Sequence, residues 1–141
     1  KSGDDRLFDS ILADFAREFR GRDASTADFM ALLARRAPAD WNWFFRQWIE
    51  ETAMPTWRWS WKVGRSGDGG DAVLLDVEQS DVPPTFRMPV PVRIEEAGGG
   101  SREVMILVHE ARETFTIPVA RPPKRVVFNP EFAVLARTEK R

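Results

Sequence analysis

The chain has 141 residues, 43% of them hydrophobic, and a formal net charge of −1, as expected for a globular protein of one or two domains. It contains no cysteine and one histidine, His109, which excludes disulfides, thiol catalysis and metal sites built from several Cys or His ligands. The balance of charges argues against a nucleic-acid-binding protein, and no apolar run approaches the roughly 18 residues of a membrane span.

Apolar residues in the first part of the chain recur at three- and four-residue steps, the spacing of one helix face. Asp4 or Asp5 is suited to cap the start of this first helix, and Gly21 is suited to a left-handed position after its end. The apolar positions that define the helix are Phe8, Ile11, Leu12, Phe15 and Phe19.

Two further helices are predicted before residue 55. Ser25 and Asp28 resemble a capping box that opens a second helix, which Pro38 ends because proline disfavours a helical residue before it. Asp40 is expected to cap a third helix from Trp41 to Glu51. This helix carries a strongly aromatic face, formed by Trp41, Phe44, Phe45 and Trp48.

After Pro55 the apolar residues alternate with polar ones, as in half-buried strands. Pro89 and Pro91 predict that the third strand lies at a sheet edge, or that its prolines turn their missing N–H groups outward. Turns rich in Gly and Pro separate strands predicted at 57–63, 72–79, 86–94, 104–108, 115–119 and 126–128, with a short apolar end at 132–135.

These patterns predict an α+β protein. A segment of three helices at 1–54 is followed by an antiparallel, immunoglobulin-like β-sandwich of six to seven strands at 55–141.

Catalytic motifs are not convincing in this sequence. The run from His109 to Glu113 is similar to a zinc-protease signature, but that signature requires a helix. Here the residues lie in the part of the chain where the apolar period is two, and on a strand positions four apart lie about 13 Å from each other. We therefore expect no catalytic, cofactor-binding or metal-binding residues in this chain.

Three tryptophans share one face of the first predicted strand: Trp57, Trp59 and Trp61. They could form an exposed platform that stacks on sugar rings or peptide side chains, or they could be buried, where large rings contribute most. Their position just after the aromatic helix favours a buried seam between helices and sandwich, built from Trp41, Phe44, Phe45, Trp48, Trp57, Trp59 and Trp61.

Several short motifs resemble the membrane alanyl aminopeptidase family of zinc metallopeptidases, the gluzincins. In that family a Phe-Phe-x-x-Trp helix runs into a Thr-Gly-x-Pro turn and then a β-sandwich. Here the corresponding residues are 44–48 and 52–55, with Ala53 in place of the family's usual glycine. Upstream, residues 25–29 are similar to the capped helix start that precedes this helix in the family. Downstream, Gln79 and the segments 86–90, 115–118 and 128–130 follow in the order of the family's sandwich.

The resemblance implies a non-catalytic C-terminal part of a longer peptidase. Residues 1–54 would end the catalytic domain and 55–141 would form a sandwich that supports it. The zinc ligands and the base would lie upstream of Lys1, so zinc and a peptide substrate are expected for the parent protein, and the upstream catalytic domain is the expected partner. The alternative is a stand-alone carbohydrate- or protein-binding module. A periplasmic and a cytoplasmic location both stay open.

Overall fold

The computed structural model describes residues 4–37 and 39–141, and the side chains from residue 6 onward within them. The chain divides into two compact units, Lys1–Glu51 and Thr52–Arg141. Helices occupy the first unit and strands the second, so the protein is α+β. The domain assignments of 1–54 and 55–141 stay predictions.

Two α-helices lie where the periodicity predicts them. Helix α1 spans Asp4–Glu18 and helix α2 spans Thr26–Arg36. Ser25 and Asp28 form the predicted capping box at the start of α2, and Gly21 has the predicted positive φ, +73°. The proposed caps at Asp4 and Asp5 concern side chains outside the described residues, and so does the helix-ending role of Pro38.

The third predicted helix is not a continuous α-helix. Helix α3 spans only Asn42–Phe45 and continues as a π-helical turn over Arg46–Glu50. The amide of Glu51 donates to the carbonyl of Arg46, five residues back, at 3.0 Å, which is the hydrogen bond of a π turn. The helix begins one residue later than predicted, so Trp41 and not Asp40 is its N-cap. Oδ1 of Asp40 still accepts the amide of Asn42 at 3.0 Å, just before the helix.

The second unit contains seven strands in two sheets. One sheet has four strands in the order β5-β2-β1-β7, and the other has three in the order β4-β3-β6. The strands are β1 Thr56–Arg65, β2 Asp71–Ser80, β3 Met88–Glu96, β4 Ser101–Val108, β5 Arg112–Pro118, β6 Pro123–Phe128 and β7 Arg137–Lys140.

Strand β3 is central in its sheet, so the predicted edge position is wrong. The carbonyl of Pro91 accepts the amide of Asn129, at 2.9 Å, on the β6 side of the strand. In a strand the N and C=O of one residue face the same neighbour, so Pro89 and Pro91 both face that side. The ladder of paired residues with β6 begins at Val92, so both prolines lie just before it, and Pro91 contributes only its carbonyl to the contact with Asn129.

One strand pair departs from the predicted antiparallel arrangement. Strand β7 pairs with β1 in parallel, with Thr56 opposite Arg137 and Trp59 opposite Lys140. The connection from β6 passes through a 3₁₀ turn, Pro130–Phe132. Asn129 precedes this turn with a φ of +51° and holds Val134 through two hydrogen bonds of 2.8 and 2.9 Å.

Each unit has its own buried apolar residues. In the helical unit Ile11, Leu32, Leu33 and Phe45 form the core. In the strand unit the inward-facing positions of β2 and β3 are almost completely buried. They include Val73, Leu75, Val77, Val90, Val92 and Ile94.

Candidate functional site

The aromatic residues of the third helical segment pack within the helical unit. Phe45 is buried and meets Phe29 with ring centroids 6.2 Å apart. Trp41 contacts Phe44 edge-on at 6.4 Å, and its Nε1 donates to the carbonyl of Ala37 at 3.3 Å. Three of the seven seam residues, Trp41, Phe44 and Phe45, therefore join α3 to the rest of its own unit. Trp48 is half-buried.

The tryptophans of β1 meet the other sheet. The rings of Trp57 and Trp59 lie 5.5 and 5.7 Å from the ring of Phe128 in β6. Both are buried, so they do not form an exposed platform for sugars, and Trp61 is half-buried. Whether these rings also form a seam with the helices stays a prediction.

A buried polar pair accompanies Trp57. Its Nε1 donates to Oε1 of Gln79 at 2.9 Å, and the Gln79 amide nitrogen donates to the carbonyl of Phe86 at 3.4 Å. Gln79 is itself buried and sits at an inward position of β2. The sequence signal for this pair is a lone polar residue at the end of an apolar alternation, which does not by itself reveal its partner.

The helical unit has an exposed apolar surface on α1. Leu7, Phe8 and Leu12 expose 39%, 52% and 42% of their surfaces. Beside them lies a groove of about 310 Å³, lined mainly by apolar side chains. Its apolar lining is Leu7, Phe8, Ile11, Leu33, Ala37, Ala39 and Trp41. We name this surface the α1 face.

His109 and Glu113 lie close together, contrary to the separation expected for a strand. Nδ1 of His109 is 3.0 Å from a carboxylate oxygen of Glu113, because the chain bends between the end of β4 and the start of β5. The other oxygen accepts the amides of His109 and Glu110 at 2.6 and 2.7 Å. Glu113 therefore stabilises the turn.

This pair does not form a metal centre. Two protein ligands are too few for a zinc site, which takes at least three. Among the described side chains, those of residues 6–37 and 39–141, no group of three or more His, Cys, Asp or Glu could hold a metal ion.

Ion pairs cover the outer face of the four-stranded sheet beside a cavity of about 310 Å³. The hydrogen bond donated by Arg141 holds the pKa of Glu78 below its usual value, with help from Arg112, whose Nη2 lies 3.4 Å away. Arg58 is paired with Glu139 at 2.9 Å, which raises the pKa of the guanidinium. These charges compensate one another in ion pairs, so we interpret the cluster as structural.

No protein-family model matches the sequence, and no curated protein matches it either. In the described part of the chain no helix is both long and apolar enough to span a membrane. A functional proposal must therefore rest on the residues themselves.

Proposed function

We propose that this chain is the non-catalytic C-terminal part of a gluzincin aminopeptidase-like protein and that it supports the catalytic domain of that protein. In this proposal residues 1–54 complete the helical layer of the catalytic domain, and 55–141 form an immunoglobulin-like sandwich. The resemblance of residues 44–55 to the family supplies the identity. The parent would bind zinc and hydrolyse peptides, with all catalytic groups upstream of Lys1.

The α1 face is the observation that carries the proposal. Large exposed apolar side chains in neighbouring positions are uncommon on monomeric proteins and mark surfaces that another domain or protein covers. Leu7, Phe8 and Leu12 provide such a surface next to an apolar groove. The upstream part of a catalytic domain would cover it and remove the apolar area from water.

The strand unit supports the second half of the proposal. Four strands in one sheet and three in the other correspond to the strand numbers of a constant-type immunoglobulin domain. The two sheets share Trp57, Trp59 and Phe128 in their common interior. A two-sheet unit of this kind is suited to supporting a neighbouring domain. We propose that the seven aromatic seam residues pack between this unit and the helices.

The test uses the longer polypeptide that is encoded with the residues upstream of Lys1. We expect it to bind zinc and release amino acids from aminoacyl nitroanilides, whereas the 141-residue chain does neither. Phe8→Glu should reduce the thermal stability and activity of the longer protein while leaving the melting of the 141-residue chain unchanged. Arg6→Glu, at an exposed position in the same helix, is the matched control and should affect neither protein.

Two results would reject the proposal. A longer protein without zinc and peptidase activity would remove the assigned parentage. Equal responses to Phe8→Glu in the long and short proteins would show that the α1 face is not covered by the upstream domain.

A further inference from the structure

The open edge of β4 differs from the other sheet edges in the described part of the chain. Residues 104–108 of this strand, Val-Met-Ile-Leu-Val, contain no charge, proline or glycine. Natural proteins protect exposed edges with charges, prolines or bulges, because unpaired backbone groups can bind another strand. Strand β4 itself carries Arg102 and Glu103 before this run. The other edge strands have no run of five residues without a charge or a proline, because of Arg112, Glu113 and Pro118 in β5, Pro123, Lys124 and Arg125 in β6, and Arg137, Glu139 and Lys140 in β7.

The backbone of β4 has its free groups at odd-numbered positions. Since Pro91 faces β6, the neighbouring residues Val90 and Val92 face β4, where they pair with Ile106 and Val104. Those two residues use their N–H and C=O groups on β3. The corresponding groups of Glu103, Met105 and Leu107 therefore point away from β3, and among them the carbonyl oxygen of Leu107 lies 3.4 Å from Nδ1 of His109, a contact that a strand added at the edge would replace.

The side chains at this edge are apolar and exposed. Met105 and Leu107 expose 63% and 45% of their surfaces on the outer face of the sheet. Ile106 and Val108 point the opposite way and are buried between the sheets. A strand added at the edge would therefore find both free hydrogen-bonding groups and an apolar surface beside them.

We propose that β4 binds β4 of a second copy of this chain, antiparallel about a two-fold axis at Ile106. This register places Met105 opposite Leu107 of the other copy, and Leu107 opposite Met105, so that the two pairs exchange about four backbone hydrogen bonds. The two three-stranded sheets become one six-stranded sheet. The inference is independent of the function proposed above.

The sequence around the axis favours a second copy and this register. Glu103 falls opposite His109 of the other copy, so an imidazole and not a second carboxylate meets Glu103 there. Both side chains are half exposed, and each also contacts a residue of its own chain, Arg93 at 3.1 Å from Glu103 and Glu113 at 3.0 Å from His109. A two-fold axis at Met105 would instead place Leu107 opposite Glu103 of the other copy. An axis between Met105 and Ile106 would place residues that face outward opposite residues that face inward. No like charges lie directly opposite each other within the paired strands.

Sedimentation equilibrium of the 141-residue chain tests the dimer. We expect a concentration-dependent species of twice 16.1 kDa. Met105→Lys should weaken the association by at least about a hundredfold, because two ammonium groups would enter the apolar cluster and meet across the axis. Leu135→Lys changes an equally exposed apolar residue outside the strands and should leave the association unchanged, and circular dichroism verifies that both variants fold.

Cysteine cross-linking tests the register, since the chain has no cysteine of its own. Met105→Cys mixed with Leu107→Cys should form a disulfide between the two variants, because directly opposite Cα atoms lie about 5.5 Å apart. Met105→Cys alone should cross-link poorly, since the diagonal separation of about 7–8 Å exceeds the reach of a disulfide. A chain that stays monomeric, a dimer that tolerates Met105→Lys, or stronger cross-linking between identical variants would overturn the proposal.

Discussion

Trp57 illustrates how a single buried side chain connects the two sheets of the strand unit. Its ring contacts Phe128 in the opposite sheet, and its indole N–H is bonded to Gln79 in the neighbouring strand. Because both groups are buried, this hydrogen bond matters for stability: a buried polar group that has lost its hydration and has no partner destabilises the folded state. Removing either Trp57 or Gln79 therefore leaves the other residue without this hydrogen-bond partner in the interior.

Trp57→Phe should lower the free energy of unfolding by about 2–4 kcal/mol, since it leaves a small cavity and an unsatisfied amide oxygen at Gln79. Urea denaturation followed by circular dichroism measures the loss. Trp61→Phe, at a half-buried position of the same strand, serves as the control and should cost less than about 1 kcal/mol.

A double variant separates the loss of stability caused by the cavity from the loss caused by the unsatisfied polar group. Trp57→Phe combined with Gln79→Leu should lose less stability than the sum of the single losses, because the Gln79 oxygen that Trp57→Phe leaves without a donor is removed as well. Strict additivity would show that the hydrogen bond contributes nothing specific.

The sequence predicts which face of the strand these side chains occupy, but it does not predict which residues they contact. Alternation places Trp57, Trp59 and Trp61 on one face of a strand, and the structure places Trp57 and Trp59 in the interior. The alternation gives no information on what lies opposite, since Phe128 is 71 positions from Trp57 along the chain. Contacts of this kind depend on how the sheets fold back on each other, which local spacing does not encode.

Helix α2 begins with an element that sequence spacing does predict. The backbone amide of Ser25 donates to a carboxylate oxygen of Asp28 at 2.8 Å, and the amide of Asp28 donates to the Ser25 hydroxyl at 3.2 Å. The hydrogen bonds from the Ser25 side chain and backbone lower the pKa of Asp28. All partners lie within four residues, which is why the motif can be recognised without knowledge of the fold.

The lowered pKa of Asp28 predicts an acid-sensitive helix start. A carboxyl whose pKa is lower in the folded state stabilises that state fully above its unfolded value, about 3.9, and this contribution is lost as the pH falls through the folded pKa. The urea midpoint of the helical signal should therefore fall between about pH 5 and pH 2. Asp28→Asn should show a smaller fall over this range, and Asp23→Asn, an exposed neighbour before the helix, should behave as the unmodified chain. An equal pH dependence in all three proteins would contradict the assignment.

Three features of the strand unit could not be predicted from the alternation of apolar residues. Strand β7 has no apolar alternation and is held by its backbone, for example by the amide of Arg137 on the carbonyl of Pro55 at 2.9 Å. The central position of β3 follows from where β6 begins to pair with it, at Val92. The approach of His109 to Glu113 follows from a bend that the apparent strand period conceals.

Each of the two units exposes an apolar surface that another domain or chain could cover, and the two surfaces differ in kind. The helical unit exposes the α1 face, which we assign to an upstream domain, and the strand unit exposes the β4 edge, which we assign to a second copy. The two assignments involve different residues and can be tested separately. Composition and charge indicated a globular chain without catalytic groups, but they did not reveal either surface.

The proposed aromatic seam concerns the whole chain, because it requires the helices and the strands to unfold together. In that case Trp48 contributes to both units, and Trp48→Ala should cost about 3 kcal/mol, the lower end for a large aromatic residue in a core. Ile49, its exposed neighbour, offers the matched control, since Ile49→Ala should change the melting temperature by less than about 2 °C.

Differential scanning calorimetry of the 141-residue chain and these two variants is the most direct measurement. The seam predicts one transition with equal calorimetric and van't Hoff enthalpies, which Trp48→Ala moves down by about 6–12 °C as a single peak. Two separate transitions, of which only the helical one responds to Trp48→Ala, would contradict the seam.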